Sequence, residues 1–228
     1  MKTITSAILA SFISVAAHAQ NSVPSVNAAG YIKVSVEEGK FYFLQNPFNT
    51  FDGSQQTLDG VVGTALPDGS TIYLWNATTQ TFDLSNYIEG VGWLPNLPVS
   101  RGSGFFVQPT AGANPTSNLF LFGEVPGATT AQTTQLLLQP GFNSIGFPYP
   151  VGTTLGTTGL NAATQEPDSV YMWNATSQGY EVFNRLDIPG LEWGGAESTP
   201  IPPGAALFVN KSQQTSFNAT VPYSWPNN

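Results

Sequence analysis

Cysteine is absent, histidine occurs once, and the whole 228-residue chain carries only six lysines and arginines against fourteen acids. Each shortage excludes something. Without cysteine there is no disulfide framework and no thiolate nucleophile or metal ligand. The one histidine is His18, inside an N-terminal stretch that reads as a signal peptide. Lys2 is its short positive region, residues 4–16 are apolar or small, and Ala17-His18-Ala19 is a small-x-small cleavage site. The apolar run is too short and too rich in Thr and Ser to span a bilayer, and no later run is longer. The expected mature chain starts at Gln20 and lies outside the cell or on its surface. It keeps Lys33, Lys40, Arg101, Arg185 and Lys211 and all fourteen acids, a net charge of −9.

That chain has no histidine, so a Ser-His-Asp or Cys-His centre is excluded. The usual ligands of zinc, copper and haem are missing as well. No Gly-rich phosphate loop ending in Gly-Lys-Ser/Thr occurs. Nucleic acid needs a basic patch that five scattered cations do not make, and an anionic membrane surface needs one too. Charged residues are 9% of the sequence, against about 25% in ordinary globular chains. Disorder does not follow, because aromatics reach 12% and β-branched residues abound.

What is present is a repeat. Tyr73-Leu74-Trp75-Asn76-Ala77-Thr78 returns as Tyr171-Met172-Trp173-Asn174-Ala175-Thr176. Around it Phe41 matches Phe142, Pro47 matches Pro148, Asp68 matches Asp168, Phe82 matches Tyr180, Asp83 matches Glu181, and Trp93 matches Trp193. Phe105-Phe106-Val107 matches Leu207-Phe208-Val209, and Val125-Pro126 matches Val221-Pro222. An ordered series of this kind marks a duplication. The expected organisation is a signal peptide over 1–19, a polar leader over 20–29, one repeat over 30–126 and a second over 127–228.

Within each repeat the period is two, as in Ile72/Leu74 against Tyr73/Trp75, and Gly, Pro or Asn punctuates the chain about every ten residues. The reading is all-β: two tandem sandwich-like repeats of about 100 residues, packed against each other. Strands are predicted at 30–36, 41–46, 71–76, 80–84, 104–108 and 117–122. In the second repeat they are predicted at 133–138, 142–147, 169–174, 178–183, 205–210 and 215–220. Stretches 49–70 and 150–167 are expected to be surface loops. Uncharged Gly104–Val107 and Leu136–Leu138 are expected to lie at sheet edges.

Gly141-Phe142-Asn143-Ser144-Ile145-Gly146-Phe147-Pro148, the Tyr-x-Trp-Asn turns and Gly104-Phe105-Phe106-Val107 carry a resemblance to a group of uncharacterised secreted bacterial proteins built from this repeat. The resemblance covers nearly all of the chain after residue 19. It implies the all-β repeat and brings no reaction with it. Lys40 and Tyr42 stand where the second copy has Gly141 and Asn143, and Ser103-Gly104 where it has Ala205-Ala206; both read as drift.

Few residues remain for chemistry. A glycosidase would need two acids about 5–9 Å apart, and the acids here are sparse, several recurring in both copies as turn elements do. Calcium would take Asp52-Gly53 or Asp68-Gly69, but neither lies in an Asp-x-Asp-x-Asp loop, and turns are the preferred reading. Asn76, Asn174, Asn210 and Asn218 begin Asn-x-Ser/Thr triplets, of which the first two read as hairpin turns. Trp75, Trp93, Trp173 and Trp193 occupy matched places and Trp225 stands alone. The matched four are core residues in one reading and a glycan-stacking platform in the other. The expected function is accordingly a non-catalytic extracellular protein, without cofactor, that self-associates into a surface layer, filament or tube. Copies of itself are its expected partners, through an edge strand or the leader. A carbohydrate-binding or adhesion module is the alternative, and an enzyme ranks third. N-terminal sequencing of the exported protein is expected to begin at Gln20; a secreted form that retains Lys2 contradicts the processing.

Overall fold

The computed structural model describes residues 28–110, 116–127 and 133–224. The expected signal peptide, most of the expected leader, residues 128–130 of the expected joint between the copies at 126–130, and Trp225 lie outside the described residues. In the first copy the elements are β1 (Ala29–Glu37), β2 (Tyr42–Gln45), a one-turn helix α1 (Leu58–Val61), β3 (Thr71–Asn76), β4 (Thr81–Ile88), β5 (Gly92–Leu94), β6 (Gly104–Gln108) and β7 (Thr116–Glu124). The second copy has β8 (Thr134–Leu138), β9 (Gly141–Gly146), β10 (Thr153–Thr154), β11 (Ser169–Asn174), β12 (Gly179–Asn184), β13 (Pro200–Ile201), β14 (Ala206–Lys211) and β15 (Thr215–Ala219). Two single 3₁₀ turns, at Leu155–Thr157 and Leu160–Ala162, follow β10.

All described pairings are antiparallel, and the two copies share one topology. The first and last strands of each copy form a two-stranded ribbon, β1-β7 and β8-β15. Between them lies a main sheet, ordered β2-β6-β3-β4-β5 in the first copy and β9-β14-β11-β12 in the second, where β10 and β13 pair separately as a short ribbon. Tyr73 pairs with Phe106 as Tyr171 pairs with Phe208, so the duplication holds at the level of register.

Alternation explains the layers. In β1 and β7 the residues Ile32, Val34, Val36, Leu119 and Leu121 turn inward, while Tyr31, Lys33, Phe120 and Phe122 turn out. The inward set packs on Ile72, Phe105 and Val107 of the main sheet, and Leu58, Val61, Val62 and Leu66 close the end of this core. In the second copy Leu138 and Phe217 of the ribbon meet Val170, Leu207 and Val209 of the sheet, closed by Leu155, Leu160 and Ala163. Stretches 49–70 and 150–167 therefore fold over the cores as lids rather than running as surface loops. In the first, Leu58, Val61, Val62 and Leu66 keep the spacing of one helical face, but over a run too short and too interrupted by Gly60 and Gly63 to stand out; in the second, Leu155, Leu160 and Ala163 follow neither period.

Strand β6 is buried on both faces. Phe105 and Val107 enter the first core, and Phe106 enters a separate aromatic layer with Phe43, Ala206 and Phe208. That is why Gly104–Val107 reads as a continuous apolar run, and why it is an internal strand instead of an edge. In β8, Leu138 is buried and Leu137 is exposed.

One buried ion pair separates the copies. The Lys211 ammonium meets the Asp168 carboxylate with both side chains fully enclosed, and it also donates to the Ala163 carbonyl at 2.6 Å. Asp168 accepts from the Ser212 N–H at 2.6 Å, the Ser212 hydroxyl at 2.8 Å and the Gln165 N–H at 3.0 Å. Burial alone would raise the Asp168 pKa, but Lys211 and these donors outweigh it and hold it below the usual carboxylate range. The matched Asp68 is exposed and caps only the Glu89 N–H, with Pro109 in the place of Lys211.

Breaking such a pair strands a buried charge, so Asp168→Asn is expected to cost about 3–5 kcal/mol in urea unfolding at pH 7, and Asp68→Asn far less. Because the folded pKa is depressed, the pair's contribution is present above the unfolded carboxylate pKa of about 3.9 and is lost as pH falls below it. Equal losses for the two variants contradict the assignment.

Candidate functional site

The two main sheets face each other across the aromatic layer. Phe43 and Phe106 stack at 4.2 Å, and Phe43 meets Phe208 of the other copy at 4.8 Å. Phe106 meets Trp173 edge-on at 5.3 Å, and Trp75 meets Phe208 edge-on at 5.5 Å. At one end the sheets nearly touch. A Cβ on Gly104 would lie 2.5 Å from the Ser144 hydroxyl and 2.9 Å from the Ala206 methyl, so the Gly104/Ala206 difference between copies is a steric requirement and not drift. Isolated bridges, Leu44 to Ala205 and Ser103 to Ile145, join the sheets there.

Polar contacts clasp the halves reciprocally. The Trp75 indole N–H donates to the Phe142 carbonyl at 2.7 Å, and the Trp173 indole N–H to the Phe41 carbonyl at 2.9 Å. The Gln80 amide accepts from the Phe142 N–H at 2.8 Å and donates to the Phe142 carbonyl at 3.0 Å. The Gln178 amide does the same to Phe41, at 2.9 and 3.1 Å. Each glutamine ends a hairpin whose Asn, Asn76 or Asn174, accepts from the N–H groups two and three residues on. Both glutamines have left-handed backbones, φ 55° and 53°. Such a conformation costs a non-glycine residue about 1–2 kcal/mol, and here it aims the amide at the partner half.

Away from the clasp the facing sheets leave two clefts. One, of about 260 Å³, is lined by Trp75, Phe82, Phe142, Tyr171, Tyr180 and Phe208. The other, of about 340 Å³, is lined by Phe41, Tyr73, Phe82, Phe106, Trp173 and Tyr180. The duplication exchanges the two sets of rings. Phe82 and Tyr180 border both clefts and are 38% and 43% exposed. Among the described residues no acid, base or aliphatic hydroxyl lines either cleft. The Trp N–H groups are spent on the clasp, and the Tyr73 hydroxyl lies 3.0 Å from the Gln108 side-chain oxygen. Burial pushes the Tyr180 phenol up to about 12, so it is un-ionised at neutral pH. The clefts offer ring faces and almost nothing else.

The matched tryptophans therefore divide. Trp75 and Trp173 are half-buried walls of the clefts. Trp93 and Trp193 are 2% exposed, inside the two cores, and present no face to a ligand. Their indole N–H groups pin the lids, Trp93 to the Gly63 carbonyl and Trp193 to the Asn161 side chain. Pairing by sequence did not single out Phe41, Phe82, Phe142, Tyr180 or the two glutamines as site residues. The available signal was that Phe82 with Leu84 on β4, and Tyr180 with Val182 on β12, put matched apolar side chains on one face of each strand.

Asp52 and Asp68 sit in turns, the Asp52 carboxylate accepting from the Ser54 N–H. Among the described residues no three Asp, Glu, His or Cys side chains gather at one point. A larger groove of about 690 Å³ in the second copy is lined by Phe147, Thr153, Thr154, Thr157, Asn218 and Thr220 among others, and its Thr157 hydroxyl lies 3.0 Å from those of Thr153 and Thr154. No family model, curated protein or solved structure matches the chain.

Shortening each glutamine while keeping a residue that tolerates the left-handed turn tests the clasp. Gln80→Asn and Gln178→Asn are each expected to lower the stability of the whole protein by about 1 kcal/mol, read from the urea midpoint. An unchanged midpoint in the double variant shows that the amides contribute nothing.

Proposed function

We propose that the protein is a secreted, non-catalytic structural unit of the cell surface that associates with copies of itself. One observation carries this reading: a cluster of aromatic rings on the outer face of the β1-β7 ribbon. Tyr31 is 72% exposed and lies opposite Phe122, while Phe120 lies opposite Lys33 on the same face. Exposed Phe51 shares a concavity with Phe122. Soluble monomers rarely leave such rings contiguous and uncovered. The matched face of the β8-β15 ribbon carries Gln135, Leu137, Ser216 and Asn218, so the patch belongs to the first copy alone. Ala29, the end of the expected leader, is already paired with Glu124 within the chain.

A second copy is the natural cover, because an aromatic patch meeting its own image makes an isologous contact, and other contacts can extend the assembly. The net charge opposes assembly at low salt and is screened over about 8–10 Å near physiological ionic strength. A carbohydrate-binding module is the second reading, supported by the threonine-lined groove of the second copy, whose Asn218 and Thr220 are exposed.

Light scattering on the mature chain is expected to show larger species as salt rises, and the double substitution Tyr31→Thr, Phe122→Thr to return the protein to monomer. A wild-type protein that stays monomeric at high salt and high concentration, yet binds a glycan array, replaces this reading with the second.

A further inference from the structure

The twin clefts ask for a ligand class of their own, independent of self-association. Each is walled by six aromatic rings, and among the described residues its lining holds no carboxylate, no cation and no free indole N–H. A sugar stacked there would find only tyrosine hydroxyls for direct hydrogen bonds, a poor match to its own many hydroxyls. An anion would face the negative faces of the rings and a chain with fourteen acids and six bases. A primary ammonium needs hydrogen-bond acceptors, and the rings supply none. An alkylated ammonium needs none, because its charge is spread over methyl groups that pack on ring faces and are attracted by the ring quadrupole.

We propose that each cleft binds a quaternary or tertiary alkylammonium group, held by the faces of Trp75, Phe142 and Tyr171 in one cleft and of Trp173, Phe41 and Tyr73 in the other, with Phe82 and Tyr180 shared between them. Charge complementarity favours the cation over an uncharged group of the same shape. The nearest basic residue by sequence, Lys40 beside Phe41, is engaged at 2.6 Å by Glu37. The Lys211 ammonium is enclosed against Asp168. Neither competes for the clefts.

The test uses the intact mature chain, dilute and at low salt so that charge repulsion keeps copies apart. Choline and its uncharged isostere 3,3-dimethylbutan-1-ol are titrated in parallel, with tryptophan fluorescence and calorimetry as readouts. Choline is expected to saturate at two sites per chain and to bind about tenfold or more tighter than the isostere. Phe142→Leu, which changes only the first cleft, is expected to leave one site, and so is Phe41→Leu, which changes only the second. Circular dichroism checks that each variant is folded; if one is not, the wild-type contrast between choline and the isostere decides alone. Equal affinities for the two probes, or no saturable response to choline, overturn the proposal.

Discussion

The aromatic layer between the two main sheets is the contact on which the rest of the molecule depends. Each sheet buries one face against its own ribbon, and each would otherwise show water a second face of large rings. Phe43, Phe106 and Phe208 are almost fully enclosed because each half covers the other. Every aromatic pair across the layer adds about 0.5–1.5 kcal/mol beyond the area it removes from water. The Trp75–Phe142 and Trp173–Phe41 hydrogen bonds contribute less, about 1 kcal/mol each, but they fix the register of one sheet on the other. Burial thus supplies the attraction and the reciprocal clasp supplies the geometry.

The layer also creates the clefts. Small residues at Gly104, Ser144 and Ala206 let the sheets meet at one end, and the rings of β3, β4, β11 and β12 fill only part of the space at the other. Duplication explains why there are two clefts with exchangeable walls. The copies have specialised elsewhere, where the layer makes no demand. The exposed aromatic patch of Tyr31, Phe120 and Phe122 belongs to the first ribbon, and the enclosed Lys211–Asp168 pair belongs to the second core.

Much of this was legible in the residues. Strands β3 and β11 lie where the period of two placed them and β6 where its apolar run did, and the matched motifs gave the duplication with its register. The lids were hard to read, since the helical spacing of Leu58, Val61, Val62 and Leu66 spans little more than two turns broken by Gly60 and Gly63, and Leu155, Leu160 and Ala163 show no period. Strand β5 was missed because three residues around Trp93 are too few to show alternation. The tryptophans were matched as one set of four, but only the fold divides them into two cleft walls and two core anchors. Periodicity reveals that β4 and β12 have a second apolar face; it does not say what covers that face. Asp168 read as a turn residue because its partner, Lys211, is 43 residues away in sequence.

If the shared layer joins the halves into one unit, neither half can open without exposing the rings of the other. Differential scanning calorimetry of residues 20–228 at neutral pH measures this directly. A single transition is expected, in which the calorimetric and van't Hoff enthalpies agree for the whole protein. Two resolved transitions, each with the enthalpy of about half the chain, would contradict it.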